Sequence, residues 1–236
     1  MSSNQKIIYV YDDFSTDVPL LMGCLYVSVI KGGESYSFEY DRNWLKTTGL
    51  SLSLDPELMP YAGRQYPSDK NIFGLFADAS PDRWGRVLMN KRERILADKE
   101  GRKPNKLYDS DYLLGVYDET RMGGIRFKLD PNGPFLSDDQ ETAAPPWATL
   151  RTLEEASRHF ESDESGLAEK WLNQLIKPGS SLGGARPKAT VIDTKDQLWI
   201  AKFPSKNDEN DVGAWEMVAH DLAALCGLNV PEAKLE

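Results

Sequence analysis

The stretch GSSLGGARPKATVIDTKDQLWIAKFP, residues 179–204, decides how the chain is to be read. It opens on a Gly/Ser-rich loop and runs into a β-prone segment, Lys188 to Ile192. It turns at Asp193-Thr194-Lys195-Asp196 and returns through Gln197 to Phe203. That order predicts a loop followed by a hairpin. Glycines let backbone N–H groups come close to phosphate oxygens, and serine hydroxyls add donors. A lysine on an adjacent strand, here Lys202, supplies a point charge for the same anion. Kinases fix such a lysine with a glutamate on the following helix, and Glu216 lies on the next predicted helix. The Trp-Ile-Ala-Lys-Phe run is similar to the Val-Ala-Ile-Lys strand of kinases. Spacing alone leaves a plain turn and a surface ion pair open, because neither Gly-x-Gly-x-x-Gly nor Gly-x4-Gly-Lys-Ser/Thr is present.

Working outward, the first third reads as strands. Tyr26–Ile30 and Ser35–Tyr40 flank Lys31-Gly32-Gly33-Glu34, a hairpin signal. Tyr36, Phe38 and Tyr40 alternate with smaller or polar residues, as a half-buried strand requires. The segment Ala79–Gly101 predicts a helix, with Ser80 as N-cap, Pro81 in the first turn and Asp82 complementing the dipole. Trp84, Val87, Leu88 and Ile95 share its apolar side. A short helix is expected around Tyr112–Leu114, and a turn, a Gly pair and a strand over residues 115–130. Residues 131–149, with four prolines and an acidic cluster, mark a break. We therefore place domains at 1–135 and 136–236. Thr152 and Glu155 form a capping-box pattern for a helix through Arg158. Leu167, Trp171, Leu172 and Leu175 mark another, stopped by Lys177-Pro178-Gly179. The last helix spans 212–226, with Trp215, Val218, Ala219, Leu222 and Leu225 on one face and Gly227 as its stop. The fold class is α+β: a mixed, barrel-like sheet with helices, then antiparallel strands plus helices.

The net charge of −9 argues against unspecific nucleic-acid binding by the whole surface. Arg83–Lys106 is the exception, with nine Lys/Arg against three Asp/Glu. It is either a solvated helix face or an anionic-partner surface, DNA included, through Arg83, Arg86, Lys91, Arg92 and Arg94. Cys24 and Cys226 sit in apolar runs with no metal-ligand spacing, so buried reduced thiols and no metal site are expected. MSSNQKIIYV has no secretory character, and the longest apolar stretch, Val18–Ile30, is too short to cross a bilayer. A cytoplasmic location without a membrane partner follows as the expectation.

Five segments in order carry a resemblance: Ala-Ser-Pro-Asp-Arg-Trp-Gly-Arg (79–86), Asp111 to Phe127, Ser-Leu-Gly-Gly-Ala-Arg-Pro-Lys-Ala (181–189), Ile-Ala-Lys-Phe-Pro (200–204) and Cys-Gly-Leu-Asn-Val-Pro-Glu-Ala (226–233). Together they resemble the HipA family of toxin serine/threonine kinases of type II toxin–antitoxin systems, associated with persistence. The resemblance implies a kinase-like small lobe over 136–236 and ATP with Mg as cofactors. Ser181, Gly183, Gly184 and Ala185 would cover the ATP phosphates, Lys188 would flank the loop, and Lys202 would contact phosphate beside Glu216. Ser181 matches a loop serine that family members autophosphorylate; about two added negative charges would occupy the place of the nucleotide's own phosphates. Arg186-Pro187 departs from a Gln-Glu pair of some members. The implied partners are a HipB-like DNA-binding antitoxin and a protein substrate such as an aminoacyl-tRNA synthetase.

A kinase also needs an aspartate at the reacting hydroxyl, usually after a histidine. His159 is followed by Phe-Glu and His220 by Asp-Leu, so neither opens a His-x-Asp loop, and Asp13-Phe14-Ser15 is no Asp-Phe-Gly. Both histidines read as ordinary helix residues, and no catalytic residue is assigned. The expectation is the N-terminal part of a HipA-like kinase, with the catalytic lobe absent and no phosphoryl transfer by these 236 residues alone. The other reading is a stand-alone non-catalytic module that pairs with a separate kinase lobe or an antitoxin.

Overall fold

The structure is a computed structural model and describes residues 5–48, 53–68, 71–118, 121–136, 149–162, 175 and 184–236. Its first part is built on β1 (Gln5–Asp12), β2 (Leu20–Ile30), β3 (Gly33–Tyr40), β4 (Arg64–Gln65) and β5 (Ile125–Lys128). These form one five-stranded sheet in the order β4-β3-β2-β1-β5, antiparallel throughout. The sheet is open, with β4 and β5 at its edges, so neither the barrel-like closure nor the mixed strand direction is found. The α+β class holds.

Alternation sets the buried face. Ile8 and Val10, Leu25 and Val27, and Tyr36, Phe38 and Tyr40 all turn inward. A register shift between Val10 and Tyr11 brings Met22 into the same core. Beside it stands Gly23, where a Cβ would meet the Glu39 carbonyl at 2.3 Å and the Phe38 ring at 2.7 Å. Helices α1 (Arg42–Thr48) and α2 (Gly74–Asp78) close the layer with Trp44 and Phe76. Trp44 stacks on Tyr40 and gives its indole N–H to Asp12 at 2.7 Å. Burial alone would raise the Asp12 carboxyl, but hydrogen bonds from Ser15, Phe14 and Trp44 outweigh it and hold the group below its ordinary value.

Helix α3 (Arg83–Lys99) starts two residues later than the Ser80 cap predicts. Asp82 is the N-cap and accepts from Arg83 N–H at 2.7 Å, while the Ser80 hydroxyl donates to Phe76 O at the end of α2. Helix α4 (Asp109–Leu114) packs beside it, with Asn90 donating to the Tyr112 hydroxyl at 2.8 Å. The 111–127 segment is structural. The Arg121 guanidinium donates to Ala79 O and Leu113 O at 2.9 Å and to Val116 O at 3.1 Å. It thus collects the orphan carbonyls at the ends of two helices. Burial pushes Arg121 down to about 10 against the pull of Asp118. Burial likewise raises the Asp118 carboxyl, although Arg126 donates to it at 2.7 Å.

A second core lies around Trp84, Leu88, Leu153, Ala156, Leu175, Ala189, Val191 and Phe203. Its elements are α5 (Leu150–Ser162), the hairpin β6 (Lys188–Ile192)–β7 (Leu198–Lys202), and one side of α3. Helix α5 begins at Leu150, so Thr152 lies inside it rather than at its cap. Helix α6 (Val212–Leu225) ends where the sequence places it, with Gly227 at φ +79°. Its apolar face is uncovered: Trp215 is 67% exposed and Leu225 83%. Both cysteines are free, Cys24 partly buried and Cys226 exposed, so the expectation of two buried thiols fails at Cys226. The predicted helix over Leu167–Leu175 falls outside the described residues except for Leu175 itself. Among the described residues no helix is long and apolar enough to cross a membrane.

Arg121→Ala leaves three buried carbonyls without their donor and Asp118 without its second cation. We expect a loss of about 3–5 kcal/mol, read as a lowered urea midpoint, with no rescue by Lys, which lacks the planar fork.

Candidate functional site

In the β6–β7 hairpin Lys188 stands directly opposite Lys202, Ala189 opposite Ala201, and Thr190 opposite Ile200. Opposed residues share a face of an antiparallel pair. Ala189, Val191 and Ala201 turn to the second core. Lys188, Thr190, Ile200 and Lys202 therefore share the other face. Two like charges directly opposite each other oppose strand pairing. The arrangement costs the fold stability.

The hairpin's surroundings hold the two ammonium groups differently. Lys202 is half exposed and its Nζ lies 2.6 Å from Glu216 Oε2 on α6. An exposed pair of this kind contributes about 0–1 kcal/mol to folding; what it does is fix the Lys202 ammonium. Lys188 is buried, and its Nζ lies so close to Gly184 that a Cβ there would come within 2.3 Å. Gly184 has φ +91°, a conformation that favours glycine. Burial lowers the Lys188 pKa first, repulsion from Lys202 adds to this, and Asp82 and Glu216 pull the other way. Thr190, also buried, has a hydroxyl with no hydrogen-bond partner among the described residues.

Two further contacts brace the loop. Arg186 donates to both oxygens of Asp208, at 2.6 Å to Oδ1, and this pairing raises Arg186 and lowers Asp208. Asp208 also accepts from Ser205 N–H at 2.9 Å, and Glu161 of α5 accepts from the Ser205 hydroxyl at 2.9 Å and from Lys206 N–H at 2.8 Å. Arg186 thereby ties the end of the glycine loop to the connection leading into α6. On the other side Asp82 Oδ2 accepts from Gly184 N–H at 2.5 Å, and Trp84 N–H donates to Gly184 O at 3.1 Å. The Trp84 indole donates to Lys188 O at 3.1 Å.

The structure thus brings Gly184, Lys188, Lys202 and Glu216 together, with Ala185 exposed next to Gly184. Ser181 and Gly183 lie outside the described residues. Asp82, Trp84, Thr190 and the Arg186–Asp208 pair were not assigned to the site from sequence. The signal for the first two was the Ser-Pro-Asp-Arg-Trp-Gly-Arg segment, whose distance in sequence from the loop hides its role. Of the basic stretch, Arg86 is engaged with Asp109 at 3.0 Å and lies over the Tyr112 ring, and Arg102 pairs with Glu93. His220 donates Nε2–H to Pro231 O at 2.7 Å, which pins the chain after α6. No group of three or more His, Cys, Asp or Glu that could hold a metal ion occurs among the described residues.

Among the described residues these parts are Gly184, the facing Lys188 and Lys202, and Glu216 on α6. Two family models match the sequence. One, the HipA N-terminal domain, takes in residues 26–102, and the other, the HipA-like C-terminal domain, takes in residues 180–236. Between them they span more than half of the chain. They include Asp82 and Trp84 in the first and Lys188, Lys202 and Glu216 in the second. The chain belongs to the HipA family and is by family a HipA-like toxin kinase. Comparison with curated proteins and with solved structures gave no match.

Because the Lys188 pKa is lowered on folding, the protonated lysine carries a stability penalty. That penalty is fully present below the lowered pKa and disappears as pH rises through it towards the ordinary 10.5. Lys188→Met is therefore expected to raise the denaturation midpoint at pH 7 and to flatten its rise as pH climbs towards 10.5. A lower midpoint would show that the buried ammonium is a net stabiliser.

Proposed function

We propose that the β6–β7 hairpin, the loop before it and α6 form the ATP grip of a HipA-like serine/threonine kinase. The observation that carries this reading is the directly opposed Lys188–Lys202 pair beside Gly184. A triphosphate would add negative charge beside two facing lysines, of which Lys202 is already paired with Glu216. The residues fit such a group: Lys188 and Lys202 donate to phosphate oxygens, Glu216 orients Lys202, and the buried Thr190 hydroxyl has unused hydrogen-bonding capacity on the same face. Leu198 and Ile200, 55% and 50% exposed, give that face an apolar surface for a purine. Mg²⁺, brought with the nucleotide, would supply charge neutralisation at the phosphates; no residue is assigned to hold it among those described.

The further family roles belong to the same reading. Ser181 is the site where self-phosphorylation adds charge at the phosphate position. The partners are a HipB-like DNA-binding antitoxin and a protein substrate of the translation machinery, such as an aminoacyl-tRNA synthetase. The cytoplasmic location goes with them. Hydroxyl activation has no assigned residue among these 236, since neither histidine opens a His-x-Asp loop.

Titration with trinitrophenyl-ATP, read by fluorescence, tests the grip. Lys202→Met and Lys188→Met are each expected to weaken binding at least tenfold, and Glu216→Gln less. Equal binding by both lysine variants would end the reading. Affinity is highest where Lys188 is protonated and falls as pH rises, with its midpoint below the ordinary lysine value of 10.5. The 236-residue chain by itself is expected to transfer no phosphate from ATP to itself or to a generic protein acceptor. Measurable incorporation would place a catalytic carboxylate within it.

A further inference from the structure

The segment Ser80–Arg86 belongs by sequence to the first part of the molecule, yet it reaches 102 residues forward to the loop. Gly184 is held at both of its backbone polar groups. Its N–H goes to the Asp82 carboxylate at 2.5 Å, and its carbonyl accepts from Trp84 N–H at 3.1 Å. The two oxygens of Asp82 are divided: Oδ1 caps α3 through Arg83 N–H, and Oδ2 takes Gly184. Trp84 is buried and packs edge-on against Phe160 at 5.6 Å, so it carries the packing between α3 and α5. Asp82 is exposed and buries almost nothing. Its contribution is therefore directional. It fixes the glycine against which the Lys188 ammonium rests.

We propose that Asp82 is a positioning residue for the nucleotide grip, holding Gly184 through one carboxylate oxygen so that Lys188 is presented beside Lys202. This rests on the reading of the hairpin as an ATP site. Electrostatics and positioning give opposite signs here, which makes the idea testable. Removing a carboxylate from beside a phosphate site tightens anion binding if only charge matters. Removing the brace on Gly184 weakens it.

Asp82→Ser separates the two. Serine still caps a helix, but its oxygen sits one bond nearer the backbone and it lacks the second carboxylate oxygen that reaches Gly184 N–H. The full 236-residue chain is used, with trinitrophenyl-ATP as the probe and backbone amide exchange over Gly184–Lys188 as a second readout. We expect a melting temperature close to that of the unchanged chain, a Kd raised about tenfold, and faster exchange in that peptide with or without the probe. Binding that is equal or tighter, or unchanged exchange, overturns the proposal. No binding by the unchanged chain overturns the ATP reading instead, and amide exchange then decides the brace on its own.

Discussion

Gly184 is where the two halves of the molecule meet. Asp82 and Trp84, at the start of α3, take its N–H and its carbonyl, and the Trp84 indole takes the Lys188 carbonyl four residues on. Three hydrogen bonds from one helical turn thus fix the entry to β6. Everything in the site follows from that entry. The register of β6 on β7 sets Lys188 opposite Lys202, and β7 leads through the Glu161- and Arg186-braced connection into α6, which returns Glu216 to Lys202. A shift of one residue at Gly184 would turn Lys188 to the opposite face of the hairpin.

Helix α3 serves both cores because its two sides differ in kind. Trp84 and Leu88 face the second core, while Arg86 and Asn90 reach α4 through Asp109 and the Tyr112 hydroxyl. α4 is in turn held to the first sheet, where the Ser110 amide donates to the Tyr36 hydroxyl at 2.8 Å and its hydroxyl to Glu34 at 2.7 Å. Arg121 closes the same region by collecting carbonyls from the ends of α2 and α4. A polar chain of contacts therefore runs from the sheet to the helix that carries Asp82. The Ser-Pro-Asp-Arg-Trp-Gly-Arg segment is thereby tied both to the loop and, through α4, to the first sheet.

Much of this was legible in the sequence, for physical reasons that differ by element. The hairpin at Gly32-Gly33, the strands β6 and β7 and the stop at Gly227 rest on local rules, period-two alternation and left-handed glycine, and the structure contains them. The helix start at Ser80 and the cap at Thr152 failed because cap chemistry is shared by neighbours. Ser80 ends α2 and Asp82 begins α3, while the helix containing Thr152 already runs from Leu150. Sheet closure was beyond local rules, since it depends on pairing between edges, and β4 has only two residues to offer. The ion pair of Lys202 with Glu216 was readable from strand and helix spacing. The pairing of Lys188 with Lys202 needed the hairpin register, and Asp82 needed a contact 102 residues away.

The energetics of the site run against those of a pure scaffold. A buried lysine opposite a second lysine and a buried threonine hydroxyl with no hydrogen-bond partner among the described residues each cost stability where they stand. They converge on one face of one hairpin. Elsewhere the same molecule satisfies its buried cations closely, as Arg121 shows with three carbonyls. The contrast separates the two arginine- and lysine-rich regions by purpose. Around Arg121, three carbonyls take the guanidinium and tie two helix ends together, while Arg121 Nε and Asp118 Oδ1 have no partner among the described residues. Around Lys188, two ammonium groups face each other across one hairpin and Glu216 holds one of them, the arrangement on which the proposed nucleotide grip rests.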